Sequence, residues 1–337
     1  MLDIIVKSFY GDYNVNFNKN IEVSKLGSHF IVDEKVCEIY KLDYLPNLIK
    51  INAIEKSKSF SNIEKILNNL IDLKLKKNSI LVGIGGGIIQ DITSFISSIW
   101  MRGIHWNYIP TTLLSQADSC IGSKSSINLN NVKNVIGTFF PPKNIYICNY
   151  FLGTLSDADI KSGIGEILKL LIINGDNIEY DDIRHNLDKY IIKALLIKKH
   201  FIEIDEHDKG IRQLLNYGHC FGHALESACN FKLPHGIAVS IGMNIANHMS
   251  LQLKMLSYEK YEKINKILVK NYNDFSGLVF NEKKFIYSLN NDKKNSIDFL
   301  RLIHLTNDEV VKTNIENNKK TLEKIFNSFS QLKFRLE

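Results

Sequence analysis

The sequence predicts a two-domain protein in which a doubly wound α/β domain precedes a mostly α-helical domain. Short β-rich runs alternate with helix-like segments through the first half, which is typical of a mainly parallel sheet covered by helices. A glycine-rich turn follows one of these strands, and beyond Leu155 the long segments have a helical period. We therefore place the boundary near residue 152, which gives domains of residues 1–152 and 153–337.

The elements of the first domain follow one another in regular alternation. The segments predicted as strands are IIVKSFY, HFIVDE, LPNLIKINAI, SILVGIGG, HWNYIPTT and NIYICNY, and those predicted as helices are SNIEKILNNLIDLKL and GIIQDITSFISSIWMRG. The helices predicted for the second domain are SDADIKSGIGEILKLLIING, NIEYDDIRHNLDKYIIKALLIKKHFIEI, RQLLNYGHCFGHALESACN, HGIAVSIGMNIANHMSLQL and KKTLEKIFNSFSQLKF.

The composition indicates a globular protein of a reducing compartment. Five cysteines lie far apart without a CxxC pair, so neither a disulfide framework nor a thiolate zinc site is expected. The net charge of +6 comes from dispersed lysines without interleaved aromatic residues, which predicts a solvated surface and no nucleic-acid partner. Asp3 and Lys7 interrupt the first apolar stretch, and no segment offers the roughly 18 apolar residues of a membrane span. We expect a cytoplasmic protein without a membrane segment.

The glycine-rich turn GIGGG, residues 83–87, connects a strand to a helix that opens at Ile88. Backbone amides at such a turn can approach a pyrophosphate closely, and the helix N-terminus favours negative charge. The pattern differs from the six-residue dinucleotide fingerprint, so a tight turn without a ligand stays open at this point. Upstream, Glu55 and Lys58 follow a strand; Glu55 could accept hydrogen bonds from a ribose diol, with an exposed turn as the alternative.

Histidines and a carboxylate supply a candidate metal site in the second domain. His219 and His223 lie four residues apart and therefore on one helix face, and His235 opens the next helical segment. Glu166 and Lys169 lie one turn apart in an apolar helix, where a carboxylate is costly to bury without a cation or metal. Histidines with one carboxylate are the composition of an open zinc site, although an isolated HxxxH pair is more often incidental.

From about Glu55 to Lys294 the chain resembles the 3-dehydroquinate synthase family. The matching blocks, in the family's order and spacing, are GGGIIQD, MRGIHWNYIPTTLL, QADSCIGSKSSIN, KNVIG, GIGEILK, DEHDKGIRQLLNYGHCFGHALE, HGIAVSIGM and NDKK. The resemblance implies a nucleotide-binding domain that holds NAD, a helical domain that holds a divalent metal (zinc, with cobalt as the alternative), and an active site in the cleft between the domains. It also implies a homodimer in which Arg102 reaches the neighbouring subunit's site.

The same resemblance assigns individual residues. It implies that Glu166, His219 and His235 bind the metal and that His223 contacts the phosphate side of the substrate. It gives the nucleotide to Glu55, Lys58, Gly85, Gly86, Gly87, Asp91, Thr111, Thr112 and Lys133. It gives catalytic or substrate contacts to Asp118, Lys124, Asn134, Lys169, Asn216 and Lys294.

The family reaction converts 3-deoxy-D-arabino-heptulosonate 7-phosphate to 3-dehydroquinate and phosphate, through oxidation by NAD, phosphate elimination, re-reduction and aldol closure. Related cyclases take sedoheptulose 7-phosphate, which lacks the carboxylate. Lys198 and Arg212 stand fourteen positions apart, as in dehydroquinate synthases, and Asn216 also matches that form. Because arginine binds a carboxylate through two parallel bonds, these residues favour the acid substrate.

Several positions depart from the family pattern and leave alternatives open. The usual GGK reads Gly122-Ser123-Lys124, Gln90 stands in the GGGxxGD segment, EVIK is EILK, and Ile237 replaces the acidic residue of HGE. The loss beside His235 could alter support of the metal by neighbouring groups. The alternatives are a paralogous cyclase or polyol dehydrogenase acting on another sugar phosphate, and a non-catalytic relative that binds nucleotide or metal.

Overall fold

The computed structural model of the protein describes residues 3–18, 21–130, 132–275, 277, 279–291, 295, 298–331 and 335–336. The chain forms two compact units. The first comprises Met1–Leu155 together with Lys198–Glu206, and the second comprises Ser156–Ile197 together with His207–Glu337. The short segment from Lys198 to Glu206 is thus separated in sequence from the rest of the first unit.

The first unit is built on a seven-stranded sheet. Its strands and one separate hairpin are β1 (Ile4–Val6), β2 (Tyr13–Phe17), β3 (His29–Asp33), β4 (Leu48–Ile51), β5 (Leu81–Gly85), β6 (Trp106–Pro110), β7 (Lys124–Leu129), β8 (Val132–Phe139) and β9 (Asn144–Ile147). The sheet order is β1-β2-β9-β6-β5-β3-β4, with β1 antiparallel to β2 and the other pairs parallel, while β7 and β8 form the hairpin. The predicted α/β class with a parallel sheet is confirmed.

The helices of this unit are α1 (Glu34–Ile39), α2 (Phe60–Asp72) and α3 (Gly87–Ile99). All residues of β5 and β6 are buried, as expected for central strands covered on both faces. The helix predicted to continue through Gly103 ends at Ile99 instead, because Met101 and Arg102 have φ angles of 46° and 64°. Left-handed residues cannot continue a right-handed helix, so the chain turns there.

The second unit is mainly helical, as predicted. Its elements are α4 (Asp157–Ile173), α5 (Tyr180–His185), α6 (Leu187–Ile204), α7 (His219–Ala228), α8 (His235–Gln252), α9 (Tyr258–Tyr272), β10 (Val279–Phe280), α10 (Glu282–Asn290), β11 (Phe299–Leu305), β12 (Val310–Glu316), α11 (Lys319–Gln331) and β13 (Arg335–Leu336). Helix α6 continues past Ile197, so its last turns count with the first unit. Among the described residues, no helix is long and apolar enough to cross a bilayer.

Several elements of the second unit differ from the prediction. The long helix predicted before residue 204 breaks at Asn186, whose φ of −128° and ψ of 48° are not helical. The segment before His219 is a 3-10 helix, Ile211–Asn216, and Gly218 with a φ of 78° separates it from α7. The antiparallel pair β11–β12 was not predicted, and it pairs Phe299 with Glu316 at one end and Leu305 with Val310 at the other.

Candidate active site

Two glycines let α4 and α8 approach each other at backbone distance. A Cβ atom on Gly165 would lie 2.0 Å from the carbonyl oxygen of Gly236, and one on Gly236 would lie 1.8 Å from that of Ser162. Both distances are far below van der Waals contact, so only glycine fits at either position. The Gly236 amide also donates to Ser162 Oγ at 3.0 Å. This close approach brings the neighbouring residues, Glu166 and His235, side by side.

A buried carboxylate faces the imidazoles of α7 and α8. Glu166 is 0% exposed, and its Oε1 lies 3.2 Å from His235 Nε2 and 3.6 Å from His219 Nε2. Each of His219, His223 and His235 offers a ring nitrogen within 4.8 Å of the others. Lys169 Nζ lies 2.5 Å from the second carboxylate oxygen of Glu166. Five residues predicted for metal and catalysis, Glu166, Lys169, His219, His223 and His235, therefore lie in one cluster.

The hydrogen bonds around the rings orient two imidazoles toward the carboxylate. His219 Nδ1 lies 3.2 Å from the Tyr217 carbonyl oxygen, which can only accept, so Nδ1 carries the proton and Nε2 is left with its lone pair. His235 Nδ1 lies 3.3 Å from Glu226 Oε1. Such outer partners fix ring orientation in metal sites. Glu226 thus provides the carboxylate support for His235 that the buried Ile237 cannot provide.

Sequence reasoning missed Glu226, although a signal for it exists. Glu226 follows His219 by seven residues and His223 by three, so all three lie on one face of α7. The sequence pattern places the supporting carboxylate beside His235 in the chain, where Ile237 stands. The partner comes from the preceding helix instead.

The charges of the cluster depend on one another. Burial by itself raises the pKa of the Glu166 carboxyl, but the Lys169 ammonium and the His235 ring outweigh burial and hold that pKa well below its ordinary value. Burial lowers the pKa of His235, yet hydrogen bonds to Glu166 and Glu226 raise it to about 10. A buried, ionised carboxylate facing imidazole nitrogens fits a divalent cation.

The predicted substrate residues of the second unit lie just before this cluster in the chain. Arg212 is buried at 5% exposure, and Asn216 donates from Nδ2 to the Gln213 carbonyl oxygen at 2.9 Å. Both belong to the 3-10 helix that leads through Gly218 to His219. Lys294, also predicted to contact substrate, lies outside the described residues.

In the first unit the glycine turn lies where β5 ends and α3 begins. A Cβ on Gly85 would lie 2.4 Å from Ile89 Cγ1, and one on Gly86 would lie 3.1 Å from Thr112 Cγ2. One on Gly87 would meet nothing closer than 4.0 Å. Within the described part of the chain, no side chain caps the N-terminus of α3. Two glycines therefore serve close packing, and the third leaves open space beside uncapped amides, which fits a pyrophosphate.

Other residues predicted for the nucleotide form a linked group beside this turn. Lys58 Nζ lies 2.6 Å from Asp91 Oδ2 and donates to Asn134 Oδ1 at 2.9 Å. Burial raises the pKa of Asp91, against the opposing effects of Lys58 and Ser126. Glu55 accepts from Asn128 at 2.8 Å. Lys58 is buried, so this segment is not the exposed turn considered as the alternative.

The remaining nucleotide residues follow β6 or lie on β8. The Thr111 amide donates to the Gly85 carbonyl oxygen at 3.0 Å, and Thr112 Oγ1 lies 2.8 Å from Ser115 Oγ. Lys133 is exposed on β8 beside Asn134. The structure therefore groups Thr111 and Thr112 with the glycine turn and places Lys133 on the hairpin.

Asp118 and Lys124 flank a loop that Lys198 contacts. Lys198 Nζ donates to the Asp118 carbonyl oxygen at 2.7 Å and lies 3.3 Å from its Oδ1. Lys198 is buried, which excludes the solvated helix lysine that its position alone allowed. The unusual Gln90 joins this loop to α3, donating to the Ser119 carbonyl oxygen at 2.7 Å and accepting from Ser119 Oγ at 2.8 Å.

Arg102 lies in an exposed turn with left-handed backbone at two consecutive residues. Lys77 Nζ donates to the carbonyl oxygens of Met101, at 2.9 Å, and of Gly103. Within the first unit Arg102 is thus displayed on the surface and is not part of the nucleotide group.

Comparisons with known proteins agree with this arrangement. The family model for the 3-dehydroquinate synthase N-terminal domain matches residues 48–162, and that for the C-terminal domain matches residues 163–295. A 3-dehydroquinate synthase of Clostridium tetani is 35% identical over 340 residues, covering 96% of this chain and 89% of the relative. A 3-dehydroquinate synthase of Dictyoglomus turgidum is 40% identical over 260 residues, covering 73% of each chain.

Solved structures share the fold at lower identity. A 2-deoxy-scyllo-inosose synthase superposes with a TM-score of 0.83 at 20% identity, covering 96% of this chain and 98% of that one. A 2-epi-5-epi-valiolone synthase from Streptomyces hygroscopicus, with NAD+ and Zn2+ bound, superposes with a TM-score of 0.79 at 19% identity, covering 95% and 96%. Both domain models and relatives along nearly the whole length lead to one conclusion: the chain belongs to the 3-dehydroquinate synthase family and is an enzyme of that type.

Proposed function

We propose that this chain converts 3-deoxy-D-arabino-heptulosonate 7-phosphate to 3-dehydroquinate and phosphate with NAD and a divalent metal. The observation that carries the proposal is the buried Glu166 carboxylate, whose Oε1 faces the Nε2 atoms of His219 and His235 at 3.6 and 3.2 Å. A carboxylate is costly to bury unless cations or a metal pair with it, and here the imidazole nitrogens converge on the same oxygen.

Two bound groups supply chemistry that the side chains lack. A divalent metal on Glu166, His219 and His235 would polarise hydroxyl and ketone oxygens of the substrate. NAD at the turn of Gly85, Gly86 and Gly87 would supply reversible oxidation, with no net redox change over the reaction. A 2-deoxy-scyllo-inosose synthase has been solved with NAD+ and Co2+, and the valiolone synthase with NAD+ and Zn2+.

The protein's own residues hold the substrate and the charges of the site. Lys169, at 2.5 Å, keeps Glu166 ionised, and Glu226 keeps the His235 ring oriented. We assign His223 to the phosphate side through the family resemblance; its exposed ring stands beside the two other imidazoles. Fixed side chains that orient each substrate oxygen supply much of the rate enhancement in such multi-step reactions.

Further substrate contacts are assigned through the family resemblance. The residues are Asp118, Lys124, Asn134 and Lys294, together with Asn216 of the segment before His219. We assign Lys198 and Arg212 to the substrate carboxylate. Both are buried cations, and arginine binds a carboxylate through two parallel hydrogen bonds, which supports an anionic substrate group. The curated relatives bear the dehydroquinate synthase name, so sedoheptulose 7-phosphate is not favoured.

The proposal is tested by phosphate release and cyclic product from purified protein supplied with NAD and zinc. We expect turnover of the carboxylated heptulosonate phosphate and its loss after chelation. Arg212→Ala should lower kcat/KM about 10- to 100-fold at unchanged metal content, because a hydrogen bond to a charged group contributes about 1.5–3 kcal/mol. Arg184→Ala removes a surface ion pair with Asp157 and should leave kcat/KM unchanged. Equal turnover of sedoheptulose 7-phosphate would contradict the substrate assignment.

We also infer a homodimer in which Arg102 serves the partner subunit's site. The support is the exposed, left-handed turn that displays Arg102 and the family resemblance of the MRG segment. Light scattering should give twice the mass of one chain. Mixing Arg102→Ala with Arg212→Ala, each of low activity by itself, should restore part of the activity, because one site of each mixed dimer is intact. No recovery would contradict the inference.

A further inference from the structure

The turn before Lys124 is held in a conformation that serine rarely adopts. Gly122 has a φ of 117° and Ser123 a φ of 65°, and Ser123 is buried. The left-handed region costs a residue with a Cβ atom conformational energy that glycine does not incur. The family's GGK pattern has glycine where this chain has Ser123. A contact with the surrounding structure must therefore hold Ser123 in this left-handed conformation.

Glu206 supplies that contact. Ser123 Oγ donates to Glu206 Oε1 at 2.6 Å, a short charge-assisted bond between two buried residues. The turn is also bonded through its backbone: Gly122 N donates to the Tyr13 hydroxyl at 3.0 Å, and Phe140 N donates to the Ser123 carbonyl oxygen at 2.7 Å. Only the bond to Glu206 engages the Ser123 side chain among these three.

The segment Lys198–Glu206 contacts the active-site loop near both of its ends. Lys198 Nζ donates to the Asp118 carbonyl oxygen at 2.7 Å. Glu206 accepts from Ser123, which follows Asp118 by five residues. Glu206 also accepts from Ser8 Oγ at 2.6 Å and from the Phe9 amide at 2.7 Å. These bonds fix its carboxylate, so that it can act as a rigid acceptor for Ser123.

We infer that Glu206 is a positioning residue for Lys124: through Ser123 it locks the left-handed turn that sets where the Lys124 side chain emerges. The inference rests on the proposed function, because Lys124 is assigned there to the substrate. It adds a positioning role for Glu206 and Ser123 that no sequence motif indicated. The pair joins the end of α6 to residues 118–124.

Four variants separate a lock from a general structural role. Ser123→Ala keeps the strained backbone but removes the bond, so KM for the sugar phosphate should rise about 10- to 100-fold with a smaller change in kcat. Glu206→Ala should do the same. Ser123→Gly should keep KM near the wild-type value, because glycine adopts this φ without a lock. Combining Ser123→Gly with Glu206→Ala should restore most of the loss.

The matched control is Glu203→Gln. Glu203 lies on the same segment and accepts from the Lys7 amide at 2.8 Å, so it also bonds the N-terminal segment, but at a residue outside the loop. Its KM should not change. A general loss of stability would lower kcat by reducing the active fraction and leave KM unchanged in every variant, and that result would overturn the inference. Failure of Ser123→Gly to rescue Glu206→Ala would overturn it as well.

Hydrogen exchange tests the lock independently of the substrate assignment. In the protein without substrate, amides of residues 122–124 should exchange faster in Ser123→Ala and Glu206→Ala than in wild type or Glu203→Gln. If the wild type turned over neither heptulose phosphate, the proposed function would be refuted. The exchange rates would still show whether the bond between Ser123 and Glu206 holds the turn. Unchanged exchange in both variants would overturn the inference.

Discussion

Replacing Gly236 by alanine should push helices α4 and α8 apart and so separate the residues of the metal cluster. The new Cβ would stand 1.8 Å from the Ser162 carbonyl oxygen, whereas real Cβ contacts stay above 3.0 Å. Helices α4 and α8 must therefore separate by at least about 1.2 Å, since the obstacle is backbone and cannot rotate away. The distance from Glu166 Oε1 to His235 Nε2, now 3.2 Å, would widen by a comparable amount.

Two measurable losses follow from this displacement. Overpacking in a core costs about 1–3 kcal/mol of unfolding free energy. A displacement of about 1 Å in a catalytic site can lower activity about 100-fold, so kcat/KM should fall by that order even in the folded fraction. The assays are thermal unfolding, zinc content after gel filtration, and phosphate release. We expect substoichiometric zinc together with the activity loss.

The control is Gly153→Ala, because nothing lies within 4 Å of a Cβ atom at that position and its φ is not positive. It should match the wild type in zinc content and turnover. A Gly236→Ala protein with one zinc per chain and wild-type kcat/KM would refute the reasoning, since it would show that the helices need not touch at this point to form the cluster.

Three further predictions address other parts of the molecule. Glu226→Ala should weaken zinc binding about 10- to 100-fold, measured by competition with a chelator, because His235 loses its outer partner; unchanged affinity would contradict that role. Gly87→Ala should weaken NAD binding, measured by titration, without lowering the melting temperature. Gly85→Ala should lower the melting temperature, because its new Cβ would lie 2.4 Å from a side-chain atom of Ile89. The reverse pattern would refute the assignment of open space to Gly87. Burial lowers the pKa of His304 from 6.5 to about 4. Between these pH values the unfolded chain binds a proton that the folded chain does not, so the free energy of unfolding is highest above pH 6.5 and falls on acidification. His304→Gln should therefore lose about 2.5 kcal/mol less than wild type between pH 7 and 4.5 in urea unfolding, and an equal loss would contradict the pKa shift.

The residues of the candidate site were predictable because their chemistry is unusual for their local context. A carboxylate in the apolar segment around Glu166, and histidines spaced for one helix face, are conspicuous without any structure. The order of blocks along the chain then identified the family, and with it the α/β and helical units. The hairpin β11–β12, in which Leu305 pairs with Val310, was not predicted, because strand propensity depends on how each face of the strand packs and not on the local sequence alone.

What the sequence by itself determined is the set of groups: a glycine turn after a strand, three imidazoles, Glu166, and the cations Lys198 and Arg212. Only the tertiary structure decided how those groups are held. The close approach at Gly165 and Gly236 and the left-handed Ser123 bonded to Glu206 join segments far apart in the chain, and the support of His235 by Glu226 joins two consecutive helices. Side-chain identity and the period of a helix or strand can be read from neighbouring residues. Contact between distant backbones depends on how whole helices pack, and a short stretch of sequence does not determine that packing.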